Sequence, residues 1–171
     1  SLLFYTNGVY IGDRRYKIMK NGRGLNKWST LGYYSQQGAM ILPFPGSPSQ
    51  YMVFYGTDEL FKTRIGTYRG GNIITQYAIV DMTKNGGYGS VIMKDVIISN
   101  DTLKKGTITA CRHANGRDWW IPLIHLQDPW IDVYLLSPDG LIFDHTDTIP
   151  LPFQLVGTGA ACFSPDGTTY M

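Results

Sequence analysis

CRHANGRDWW, from Cys111 to Trp120, gathers a thiol, two guanidinium groups, an imidazole and a carboxylate within eight positions, and then closes on two tryptophans. These side chains belong either to an active site or to a turn, and that choice decides the fold. The test is whether the pattern recurs where the chemistry is missing. It does so 51 positions further on, as CFSPDGTTYM, from Cys162 to Met171. Without a gap, Cys111 falls on Cys162, Asn115-Gly116 on Asp166-Gly167, and Trp119-Trp120 on Tyr170-Met171. Each copy reads as an apolar strand, an Asn-Gly or Asp-Gly turn and a second apolar strand, because glycine readily takes the positive φ that tight hairpins need. In this register His113 faces Asp118, and Ser164 faces Thr169. The repeat keeps a polar pair and discards the histidine. A cross-strand pair therefore explains the positions better than an acid-base dyad.

A second hairpin type occupies LLFYTNGVYI (Leu2–Ile11) and YLLSPDGLIF (Tyr134–Phe143), with Gly8 on Gly140. Tyr77–Met93 is a looser copy whose turn has grown into a glycine-rich loop, and Met40–Tyr55 is a looser copy of the first type around a Pro/Gly/Ser turn. The two types alternate along the chain. Together they define a unit of four antiparallel strands that repeats about every 50–70 residues, the period of a β-propeller blade. The fold expected is therefore all-β and β-propeller-like, an open, partial propeller of antiparallel four-stranded blades with no parallel pairing inside a sheet. The whole of 1–171 belongs to one such domain: a partial blade over about 1–35, blades over about 38–99 and 106–149, and a partial blade over about 156–171. Two blades and two half blades amount to only three, too few to close a ring, so the chain reads as a piece of a longer propeller. Its open ends would be covered by the remaining blades of the parent chain or by a neighbouring subunit.

Composition agrees with short strands and many turns: 43% hydrophobic residues, 16% charged, 20 Gly, 9 Pro and 12 Tyr. A net charge of +2 gives no reason to expect a nucleic-acid partner, and no apolar run approaches the ~20 residues of a membrane span. The three histidines show no H-x-H or H-E-x-x-H spacing and the two cysteines no C-x-x-C, so neither a metal site nor a cofactor is indicated. Asp144, His145 and Asp147 in FDHTDT read as a polar inter-strand loop. Nucleophile elbows and phosphate loops are missing. GTGAACF has the glycines of a dinucleotide fingerprint, but it feeds a hairpin and not a helix. Cys111 and Cys162, at equivalent positions of neighbouring sheets about 10 Å apart, are too distant to be bonded.

Taken in order, LLFYTNGVYI, YAIVDMTKNGGYGSVI, TLKKGTITACRHANGRDWWIPL, VYLLSPDGLI and GTGAACFSPDGTTYM span nearly the whole chain. It resembles the propeller-like N-terminal region of large secreted Bacteroidota proteins, which often end in a type IX secretion sorting domain or a gliding-motility-associated domain. HANGRDWW followed by FSPDG carries most of the resemblance. It implies an extracellular or cell-surface location and brings no assigned catalytic residue with it.

The function expected is a non-catalytic module, a scaffold or binding platform for a cell-surface protein or a glycan. The alternative is part of a glycan-processing hydrolase with a propeller fold. Only 13 acidic residues, with Glu59 the one glutamate, argue against the paired carboxylates a hydrolase needs. No catalytic residue is assigned. The binding candidates are His113, Arg117, Asp118, Trp119, Trp120 and Trp130, chosen as polar or aromatic groups that could meet a ligand. The aromatic residues also suit packing between sheets, and one of Trp119 and Trp120 is expected to be almost fully buried.

Overall fold

The computed structural model describes residues 2–26, 37–62, 68–149 and 160–171, with side chains from 58–62 and 68–73 left aside. Residues 27–35 of the first expected partial blade and 156–159 of the last lie outside the described residues. The chain is all-β, with no α-helix among the described residues. Its strands are β1 (Phe4–Thr6), β2 (Tyr10–Asp13), β3 (Ile18–Arg23), β4 (Ala39–Pro43), β5 (Gln50–Lys62), β6 (Tyr68–Asp81), β7 (Ser90–Ser99), β8 (Cys111–Arg112), β9 (Trp119–Ile124), β10 (Trp130–Ser137) and β11 (Gly140–Thr148).

Two sheets result. β8 to β11 form a four-stranded antiparallel sheet in chain order, and β4 to β7 form a second antiparallel run in chain order. The second run does not stand alone. A parallel pairing at Lys20↔Ser90 joins β3 to β7, making a seven-stranded mixed sheet of order β1-β2-β3-β7-β6-β5-β4. This corrects the expectation of purely antiparallel sheets. β5 and β6, at 13 and 14 residues, are also longer than the short strands the turn spacing suggested. The sheet curls into a nearly closed, barrel-like arrangement. Phe4 of β1 packs edge-on against Tyr51 of β5 at 5.3 Å, although four strands separate them in the sheet order.

The alternation of β5 explains the stacking. Val53 and Tyr55 point to one face, into a core with Phe4, Ile11, Met19, Leu25, Ala78, Val80 and Val91. Met52 and Phe54 point to the other, into a core with Leu42, Leu103, Ile108, Ile121, Leu123 and Leu136. Successive side chains of a strand leave on opposite faces, so β5 needs both faces apolar, and MVFY is a continuous apolar run for that reason. β1–β3 cover one side of β5 and β6, and the four-stranded sheet covers the other. Each large side chain fully buried in these layers contributes about 1.5–3 kcal/mol.

The turns follow local chemistry. Gly8, Gly116, Gly140 and Gly167 all take positive φ, whereas Asn7, Asn115, Asp139 and Asp166 do not. Only the glycine of each pair is left-handed, so these are not the mirror-image two-residue turns in which both residues are. The second hairpin type also diverges between its copies. Ser137 pairs with Gly140 across Pro138-Asp139, whereas Thr6 pairs with Ile11 across four residues. Asp144, His145 and Asp147 lie within β11 and not in a loop. β11 is the exposed edge of its sheet, and charge on such an edge opposes strand addition by another chain. Both cysteines are free.

Candidate functional site

Five of the six sequence-predicted binding residues meet in the 111–120 hairpin. The His113 amide donates to the Asp118 carbonyl at 2.8 Å and the Gly116 amide to the His113 carbonyl at 2.9 Å. The second copy repeats both bonds: Ser164 to Thr169 at 2.8 Å and Gly167 to Ser164 at 2.8 Å. The turn side chain is equivalent too. Asn115 Oδ1 accepts the Arg117 and Asp118 amides at 3.0 Å, and Asp166 Oδ1 accepts the Thr168 amide at 3.1 Å.

The side chains of His113 and Asp118 have other partners. Asp118, only 4% exposed, accepts from Arg117 Nε at 2.8 Å, Arg117 Nη2 at 3.1 Å and Asn115 Nδ2 at 2.7 Å. The Arg117 guanidinium, with help from Asn115, holds this carboxyl below the usual carboxylate range. His113 Nδ1 accepts the Asn115 amide at 3.0 Å, and its ring lies 5.1 Å from that of Trp120. Each side chain is thus bonded to groups other than its cross-strand neighbour, and the geometry gives them no shared acid-base hydrogen bond.

Trp119 and Trp120 are both half-buried, which corrects the expectation that one of them is almost fully buried. Adjacent in β9, they leave on opposite faces. Trp119 packs against the core shared with β5 and carries the Arg112 guanidinium 4.5 Å from its ring. The rings do not make one flat platform. Trp130, the sixth candidate, begins β10 at the opposite end of the same sheet and is 46% exposed.

Trp130 borders a cluster that short-motif reasoning missed. Its ring meets that of His125 edge-on at 6.0 Å. His125 is 6% exposed, and its Nε2 lies 2.9 Å from Asp132 Oδ2. Thr146 of β11 donates to the other oxygen, Asp132 Oδ1, at 2.7 Å. Asp101, in the connection after β7, completes a group whose potential ligand atoms lie within 4.8 Å of one another. Backbone bonds from Lys104 to Ile124 and from Leu126 to Thr102, both 2.9 Å, strap that connection along the end of β9. The first and last of the three residues lie 31 positions apart with no fixed spacing, so the chain carries no local signal of the group.

Two further features are chemically distinct. Asp144 and Asp147 approach opposite nitrogens of His145, at 2.7 and 3.5 Å, an arrangement that cannot enclose one ion. A cavity of about 430 Å³ is lined by Lys17, Arg23 and Lys94 with Ile18, Met19 and Asn21. No helix among the described residues is long and apolar enough to cross a membrane. Compared with protein families, curated proteins and solved structures, the chain finds no match.

Proposed function

We propose that this chain is a β-propeller-like extracellular or cell-surface module that acts without catalysis, as a scaffold or binding platform for a protein or a glycan. The observation that carries the reading is the succession of β4–β7 and β8–β11. Each run is antiparallel and in chain order, and they pack face to face through one apolar layer. Stacked four-stranded meanders are the unit that propellers repeat. The shared hydrogen bonds of the 113–118 and 164–169 turns support a repeating origin. The parallel Lys20↔Ser90 pairing is foreign to a blade and confines the argument to these two runs. Further blades of the same polypeptide, or a neighbouring subunit, are the partners proposed for the sheet edges other than the charged β11.

The extracellular location rests on the resemblance to secreted Bacteroidota proteins. The non-catalytic part is supported by the occupied Asp118 carboxylate and by the separation of the aromatic candidates onto different faces and ends. Trp130 is the best contact for a sugar ring, since a half-exposed indole offers an apolar face beside polar groups. The test is a glycan array probed with the whole chain and with Trp130→Ala, run beside a panel of chromogenic glycosides. Binding that weakens in the variant, with no turnover, is the expected result. Turnover abolished by Asp132→Asn would overturn the reading in favour of a hydrolase.

A further inference from the structure

We infer that Asp101, His125 and Asp132 form a binding site for one divalent first-row transition cation of the zinc or manganese type. This goes beyond the binding-platform reading, because cation binding is measured with neither glycan nor protein partner present.

Three observations carry it. First, one imidazole nitrogen and two carboxylate oxygens converge within 4.8 Å from three separate segments: the connection after β7, the end of β9, and β10. The His125 Nε2 to Asp132 Oδ2 separation of 2.9 Å is that of a hydrogen bond, and it would need to open by only about 0.5 Å to admit an ion that binds each atom at about 2.0–2.2 Å in tetrahedral geometry. Second, two of the three ligands are already oriented. The His125 amide donates to the Trp130 carbonyl at 3.0 Å, Leu103 forms a β-bridge with His125, and the Trp130 ring flanks the imidazole. The Thr146 hydroxyl holds Asp132 Oδ1, turning Oδ2 toward His125. Such outer bonds to ligating side chains are the usual support of a metal centre. Third, the His125–Asp132 hydrogen bond accounts for the 2.9 Å contact but leaves the Asp101 carboxylate beside it without a share in that bond. A divalent cation would balance both carboxylates at once.

The donor set decides the class of ion. Calcium and magnesium prefer all-oxygen shells, whereas an imidazole beside carboxylates suits zinc, manganese or iron. Three protein ligands also leave coordination positions open to water or to a partner's donor group. The exposed Asp101 gives the site access to solvent, while the buried His125 anchors it.

The experiment is isothermal titration of the whole 171-residue chain, freed of metal by chelation, with ZnCl2, MnCl2 and CaCl2, together with thermal melts in each salt. One-to-one binding of zinc or manganese is expected, tighter than that of calcium and accompanied by a rise in Tm. Removing an outer partner of a metal ligand commonly weakens binding about 10–100-fold, so Thr146→Val should fall in that range and Asp132→Asn should lose more. His125→Ala risks disturbing its buried surroundings. Asp101→Asn, on the exposed connection, is the variant expected to fold normally and still bind at least about 10-fold more weakly. His145→Ala should leave binding unchanged. The inference is overturned if neither transition ion binds below about 1 mM, if Asp101→Asn and Asp132→Asn bind as the parent does, or if His145→Ala alone removes the binding. It is equally overturned if the His125 ring resonances in nuclear magnetic resonance are unchanged by added zinc.

Discussion

Tyr55→Phe is the substitution that isolates one polar device inside the stacked layers. Tyr55 is 0% exposed in the core under β1–β3, and its hydroxyl is placed against a defect in β7. There the register with β6 slips between Tyr77↔Val96 and Ile79↔Met93, and Asp95 takes φ 58°, left-handed for a non-glycine residue. The slip diverts the Asp95 amide from the ladder. Tyr55 compensates: its hydroxyl accepts that amide at 2.8 Å and donates to Asp95 Oδ1 at 2.9 Å. Removing the hydroxyl deletes two hydrogen bonds worth about 0.5–1.5 kcal/mol each, and leaving a buried donor unmet costs about 1–3 kcal/mol. Asp95 is only half-buried, so water can take over part of that role, and the net loss should be about 2 kcal/mol. Urea denaturation followed by circular dichroism measures the loss, and amide exchange at Asp95 should accelerate in the variant. Tyr170→Phe is the matched control. Its buried hydroxyl finds no partner among the described residues, and burial pushes its pKa up to about 12. Deleting it should be neutral or slightly stabilising. A loss below about 0.5 kcal/mol for Tyr55→Phe, with Asp95 still protected, would refute the assignment.

Three other outcomes test the layers and the repeated turns. A Cβ on Gly167 would fall 2.6 Å from Cys111 Sγ, whereas one on Gly116 meets open space, and the two φ values are nearly equal at 72° and 71°. Both alanine variants should lose about 1–2 kcal/mol to left-handed strain, and Gly167→Ala measurably more; equal losses in urea melts would deny that the two hairpins touch. Leu136→Ala, at a fully buried position of the layer between the sheets, should cost about 3–4 kcal/mol. If only the tryptophan fluorescence transition shifts while circular dichroism does not, the sheets do not unfold together. Asp118 has a folded pKa below its unfolded value of about 3.9, so its ionised form stabilises the fold above that pH, and the contribution fades as pH falls through the folded pKa. Asp118→Asn should flatten the loss of stability of the parent below about pH 4; an unchanged slope in acid denaturation would show that the Arg117 pairing contributes nothing.

Turns and strands were legible in the chain because their causes are local. Gly116 and Gly167 are left-handed for a reason contained in each residue, and the Cys111 and Cys162 copies fold alike because the same turn chemistry recurs. The all-β class, the hairpin positions and the antiparallel order of β4–β7 and β8–β11 followed from that punctuation. The polarity of FDHTDT was also visible, but polarity alone does not separate a loop from an exposed edge strand, and β11 proved to be the latter. Everything that depended on which surfaces meet was decided by the tertiary structure. Tryptophan burial depends on what lies opposite, so neither Trp119 nor Trp120 could be ranked beforehand. The Lys20↔Ser90 pairing brings together strands 70 residues apart, and no local propensity encodes such closure. Asp101, His125 and Asp132 share no spacing rule, because their proximity arises from a strapped connection, a strand end and a neighbouring strand. The chain determines by itself the conformations its own neighbours in sequence dictate. The sites come from packing, where contact is set by distance in space and the order of residues no longer matters.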